Sequence, residues 1–235
     1  MPDIGSVVSG EKLEGAPDIL GDFCAAAGKF VPRARKLLSS AMRSAAVLQS
    51  PGIAPDAAAA MLRRLTGRLS DIESLLSDLS IHSSVKSEPQ ERVSLSGTVR
   101  AAVRGADSLP LHIAEIRAEL PQDEIFVRAP RTALSASVMN LLKNAIEAHA
   151  AEISLSVSCS EGLASLIVAD SGDGMAPVVL GRCTEPFFTT KDTGSGLGLA
   201  IVAETVSAAG GSIRMESKEG VGSVFMLSLP VCSGE

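Results

Sequence analysis

Asn140 and Asn144 stand one helical turn apart in the segment NLLKNAIEA (140–148), and Lys143 and Glu147 repeat that spacing beside them. Asparagine is a middling helix former, and its amide is costly in an apolar helix, so the pair needs a reason. A magnesium ion with phosphate oxygens supplies one, because a hard cation takes amide oxygens while Lys143 offsets phosphate charge. Two asparagines that cap nearby loops are the plainer alternative. A second segment, ADSGDGM (169–175), sets Asp170 at a strand end and follows it with Gly172 and Gly174. These glycines let the backbone turn tightly beside a flat ligand, and the carboxylate can accept a hydrogen bond from an exocyclic amine such as that of adenine. An ordinary acidic turn has the same composition. The third segment is EPFFTTKDTGSGLGLAIV (185–202), where Gly194, Gly196 and Gly198 free backbone amides to approach phosphates. A helix opening near Leu197 adds its positive end, and Lys191 a mobile counter-charge. The segment has no GKS or GKT and no strand directly before its glycines, so neither a P-loop nor a dinucleotide fingerprint fits. A flexible hinge explains the glycines but not the Phe pair and the lysine.

The elements that must hold these segments are legible in outline. Residues 1–20 mix Gly, Pro and acid with few apolar positions and read as a loose leader. Apolar positions then recur at Ala34, Leu38, Ala41, Ala45 and Leu48, and after QSPGIAP at Leu62, Leu65, Leu69, Ile72, Leu76 and Leu79. Spacings of three and four predict a coiled-coil seam in an antiparallel helical hairpin over 21–84. One hairpin buries its stripe poorly, so a four-helix bundle with a second copy is expected; packing on the chain's own C-terminal domain is the alternative. The polar stretch SSVKSEPQERVS, with Pro89, places a linker over 85–95. Beyond it the pattern predicts a helix in VSLSGTVRAAVRGA, short strands in LHIAEIRAEL and EIFVRA, and a helix in TALSASVMNLLKNAIEAHA. A strand pair turns at EGL, a helix follows in LGLAIVAETVSAAG, and a terminal hairpin closes the chain. This order predicts an α+β architecture: a helical hairpin, then a two-layer α/β sandwich over 96–235 with helices on one face of a mostly antiparallel sheet.

Composition narrows the function classes. The 235 residues are 46% hydrophobic and 20% charged, which fits a soluble globular protein, and a formal charge of −6 disfavours nucleic acid as a partner. No apolar run is long enough to cross a bilayer and the first residues lack the order of a signal peptide, so a cytoplasmic chain is the expectation. Cys24, Cys159, Cys183 and Cys232 form no CxxC pair, so no zinc site is expected and isolated thiols are. Cys183 lies just before the glycine-rich segment, where partial exposure is one reading and an ordinary isolated thiol the preferred one. Trp and Tyr are absent, which leaves no stacking platform for bases.

In order and spacing, NLLKNAIEA, ADSGDGM, EPFFTTK and GSGLGLAIV resemble the N, G1, F and G2 boxes of the sensor histidine kinases, within the ATPase superfamily that includes gyrase and MutL. The resemblance covers residues from about 96 to 230 and is greatest to the nitrogen- and oxygen-responsive subfamily; GVGSVF (220–225) is similar to the last glycine box. It implies a Bergerat sandwich with ATP under a mobile lid, and it implies roles. Asn144 would hold Mg²⁺. Asn140 stands where gyrase-like members carry a glutamate base, and an asparagine there favours transfer to a protein acceptor over water attack. Lys143 and Lys191 would meet phosphates, Asp170 would read adenine, Gly172 and Gly174 would shape that pocket, and Ser223 would assist through a water. Residues 188–198 would form the lid, with Gly194, Gly196, Leu197 and Gly198 along the phosphate path.

The family carries a phosphoacceptor histidine on the first hairpin helix, and here FVPRARKLLSSAMRSAAVLQS has none. Pro32 falls near the expected position. His82 ends the second helix, His112 starts a strand and His149 ends the asparagine-bearing helix; solvated or capping roles are expected for all three. The resemblance therefore implies an ATP- and Mg-dependent kinase module of a two-component system, a homodimer that phosphorylates a histidine on a phosphorelay partner or controls a response regulator's receiver domain. A non-catalytic ATP-binding scaffold that docks a response regulator or anti-sigma-like partner is the second reading. A serine kinase resembling anti-sigma factors is the third.

Overall fold

The computed structural model describes residues 19–49, 52–106, 114–191 and 194–232. The leader expected over 1–20 lies almost wholly outside the described residues, and His112 lies outside them too. Two long helices come first, α1 (Ile19–Leu48) and α2 (Pro55–Ser84). Helix α1 runs on through Pro32, and α2 opens on a proline, whose missing N–H is no loss in a first turn.

The helices pack as a hairpin, but of the buried positions only Ala41 belongs to the seam read from the sequence. Leu37, Ala41 and Leu75 are buried, whereas Leu38, Leu62, Leu69 and Leu76 are each about half exposed. The stripe is wider than one contact between two helices can cover. Helix α2 also packs on the C-terminal layers through α4 and α6, defined below, as the alternative reading had it.

Part of the stretch read as a linker is ordered as a strand. β1 (Gln90–Ser94) pairs antiparallel with β3 (Phe126–Pro130), and Val85 and Val93 are buried. Four polar residues around one valine give too weak an alternation to mark a strand in sequence. The Glu88 carboxylate accepts hydrogen bonds from the amides of Thr132 (2.6 Å) and Ala133 (3.2 Å), the first turn of α4 (Arg131–Glu147). A carboxylate at a helix N-terminus satisfies orphan donors and complements the dipole.

Helix α3 (Leu95–Ala106) buries Leu95, Val99, Ala102 and Ala106, spaced by four, three and four. The remaining elements are β2 (Glu115–Glu119), β4 (Glu152–Ser160), β5 (Leu163–Asp170), the short α5 (Pro177–Leu180), α6 (Gly198–Ala208), β6 (Ser212–Lys218) and β7 (Gly222–Pro230). Five strands form one sheet in the order β2-β4-β5-β7-β6, with only the β2–β4 pair parallel. Alternate residues Ile153, Leu155 and Val157 on β4, Ala164, Leu166 and Val168 on β5, and Phe225, Leu227 and Leu229 on β7 are buried. They meet Leu134, Val138, Leu141 and Leu142 of α4 and Val202 and Val206 of α6 in one core. Each large side chain so buried contributes about 1.5–3 kcal/mol. The result is the two-layer sandwich the sequence predicts. Among the described residues, no helix is long and apolar enough to cross a membrane.

Candidate functional site

Helix α4 is pinned by its leucines, which leaves its polar turn facing a cavity of about 470 Å³ between α4, the end of β5, the glycine-rich lid and α2. Asn140, Lys143 and Asn144 all line it. Asn140 is buried, and its amide Nδ2 donates to the carbonyl of Gly198 at 3.3 Å, tying α4 to the first residue of α6.

Asp170, at the end of β5, also lines the cavity. It accepts a hydrogen bond from the Gly172 amide (2.9 Å), and the strand register sets it opposite Ser223. Burial pushes its pKa above the usual carboxylate range, against hydrogen bonds from the Gly172 and Ser223 backbone and the charge of Lys191. Ser223 also lines the cavity, its hydroxyl 3.0 Å from that of Ser217. Gly174 has φ 66°, and a Cβ there would strike the Lys218 carbonyl, so only glycine makes this turn.

The lid segment supplies Lys191, Gly194, Gly196 and Gly198 to the cavity. At Gly196, φ is 70° and a Cβ would fall 2.6 Å from the Phe187 carbonyl carbon, which fixes how the lid folds back on itself. Lys191 Nζ lies 2.6 Å from Glu147 Oε2, so a carboxylate already neutralises the expected counter-charge.

Two expected positions do not line the cavity. Leu197 is fully buried, with its amide bonded to Ser195 Oγ at 3.1 Å; an apolar anchor at the start of α6 belongs in the core. Gly172 is buried behind the wall, where its amide supports Asp170. Cys183 is buried against Leu180 and Met215, in keeping with an ordinary isolated thiol, and burial pushes its thiol pKa up. Among the described residues Cys159, Cys183 and Cys232 are free thiols. A hollow of about 490 Å³ between α1 and α2 carries none of the positions predicted from sequence.

The sequence reading missed the hairpin's share of the site. Asp71, Ser74, Leu75 and Asp78 of α2 line the cavity. Ser195 Oγ of the lid donates to Asp78 Oδ2 at 2.6 Å, and Arg33 Nη2 of α1 donates to the Lys191 carbonyl at 2.9 Å. His82 Nδ1 lies 2.9 Å from Glu204 Oε2, and its ring stands edge-on to Phe187 with centroids 6.3 Å apart. Spacings of three and four from Asp71 to His82 were the available signal, since they trace one helix face.

A two-layer sandwich that sets an asparagine-bearing helix against a glycine-rich lid defines the class of Bergerat-type ATPase domains. Comparison with known proteins agrees. Residues 130–233 match the family described as "Histidine kinase-, DNA gyrase B-, and HSP90-like ATPase". The sensor histidine kinase ZraS of Escherichia coli is 43% identical over 107 residues, covering 45% of this chain and 23% of that protein. The two-component sensor PprA of Pseudomonas aeruginosa is 31% identical over 202 residues, covering 79% of this chain and 21% of that protein. The chain thus spans under a quarter of these relatives. Among solved structures, the catalytic domain of histidine kinase ThkA superposes with a TM-score of 0.53 at 28% identity, over 60% of this chain and 95% of that one. The Acinetobacter baumannii histidine kinase AdeS shares the fold over 85% of this chain and 97% of that one, with a TM-score of 0.66 at 20% identity. Residues 130–233 therefore form an ATPase domain of the kind found in sensor histidine kinases.

Proposed function

We propose that the chain is an ATP- and Mg-dependent protein kinase module of a two-component system, dimeric through its hairpin over 21–84 and catalytic through residues 96–235. It transfers the γ-phosphoryl group to a protein acceptor or controls the phosphorylation of a response regulator's receiver domain. The observation that carries this reading is the convergence of Asn140, Lys143, Asn144, Asp170 and the lid on one cavity. Asp170 accepts the adenine amine, Lys143 and the amides of Gly194, Gly196 and Gly198 face the phosphates, and Lys191 leaves Glu147 to join them. Positioning and charge neutralisation supply most of the catalysis, as phosphoryl transfer allows.

The donor set fits magnesium delivered with its nucleotide. Among the described residues no group of three or more His, Cys, Asp or Glu side chains is placed to hold a metal. Asn144 offers one neutral amide oxygen, which suits an ion that keeps waters and phosphate oxygens as its other ligands. When bound, the ion neutralises charge on the phosphates.

Exposed apolar residues support the dimer. Leu62, Leu69 and Leu76 on α2, seven apart, join Leu38 and Met42 on α1 in facing outward, as a seam for a second copy does. Titration calorimetry with Mg and a non-hydrolysable ATP analogue tests the site. Binding is expected, with Asn144→Ala weakening it about tenfold or more; no heat and no thermal shift would overturn the reading. The scaffold alternative is favoured by one observation, the absence of histidine from α1. Tight binding of ATP with no turnover and a stable partner complex would select it.

A further inference from the structure

Helix α2 contributes one serine to the wall of the proposed nucleotide cavity. Ser74 lines it together with Asp71, three residues before, and Asp78, four after, so the three side chains share a helix face. Leu75, only 2% exposed, anchors that face. Asp78 stands at the phosphate end proposed above, because it accepts from Ser195 of the lid and feels the charge of Lys143. Asp71 is engaged differently, with Arg68 Nη1 3.1 Å from its Oδ2.

The described histidines are placed less well. His82 sits against Glu204 and Phe187 and does not line the cavity. His149 lines it, but at the end marked by Asp170: its Nδ1 lies 2.8 Å from Asp173, a neighbour of Gly172.

Resting on the nucleotide reading above, we infer that Ser74 is a phosphoacceptor of this chain, with Asp78 as the base that takes its proton. Ser74 Oγ forms a bond to the γ-phosphorus of ATP as the bond from that phosphorus to the β,γ-bridging oxygen breaks. ADP leaves with the electron pair, and the hydroxyl proton passes to the Asp78 carboxylate and then to water. Serine needs such a neighbour, since its hydroxyl is a weak nucleophile on its own. Burial raises the pKa of Asp78, which makes it a better base than an exposed aspartate.

A phosphoserine survives acid and is eliminated in strong alkali, whereas a phosphohistidine does the reverse. The test incubates the full chain with γ-labelled Mg-ATP, applies both treatments and maps the label by mass spectrometry. Acid-stable label at Ser74 is expected, absent from Ser74→Ala and restored at position 74 by Ser74→Thr. A thermal shift with Mg and the non-hydrolysable analogue verifies that each variant keeps its pocket. Asp78→Asn is expected to slow labelling about thirtyfold or more without raising the KM for ATP; a merely structural role for Asp78 would raise KM instead. Label on any other residue, or none while the analogue still binds, overturns the inference and leaves the nucleotide site standing. Absence of analogue binding removes the nucleotide site and the inference together.

Discussion

At Asp170, burial and hydrogen bonding pull one carboxylate in opposite directions, and burial prevails. Its proton is therefore held to a higher pH than on an ordinary aspartate, and the protonated form cannot accept equally from an adenine amine. Nucleotide affinity is expected to weaken as pH falls through that raised pKa, before ordinary carboxylates titrate; calorimetry from neutral to mildly acid pH measures this. Asp170→Ala is expected to lower affinity about 10–100-fold and to abolish that acid limb, the loss of a buried hydrogen bond to a charged acceptor. Asp170, Asn140 and Asn144 were legible in the sequence because their residue types are odd for their settings. Ser74 and Asp78 were not, since a polar residue on an amphipathic helix ordinarily reads as solvent-facing. Only the tertiary packing of α2 gives them a cavity to face.

The sandwich elements with strong periodicity, α3, α4, α6 and the β4–β5 and β6–β7 hairpins, follow the sequence closely. β1 did not stand out because four polar residues around one valine give little alternation, and the four-residue α5 is too short to show a helical period. The hairpin illustrates a different limit. The heptads read from sequence include buried Ala41 but miss buried Leu37 and Leu75, and the structure leaves Leu62, Leu69 and Leu76 of that seam outside. Replacing Leu69 and Leu76 together by Asp is expected to turn the proposed dimer into a monomer, measured by light scattering on a sizing column. Neither residue lines the cavity, so analogue binding should persist in the monomer.

At the scale of the molecule, Asp78 joins the hairpin to the lid. Burial raises its pKa most and the Glu147 charge adds to the rise, while the Ser195 hydrogen bond and Lys143 oppose it. A raised folded-state pKa means a contribution to stability fully present in acid and lost as pH rises through the raised value. Asp78→Asn is therefore expected to melt at a higher temperature than the parent at neutral pH, with the gap closing below the ordinary carboxylate range; calorimetric scans across pH measure it. The same change removes a negative charge from beside the proposed triphosphate and should tighten analogue binding about fivefold. The points that hold the lid lie far apart along the chain, at Arg33 on one helix and at Asp78 on the other. Any torque that slides α1 past α2 tugs the lid at one attachment relative to the other. Under the proposed nucleotide reading, how long a nucleotide dwells is expected to follow hairpin shape.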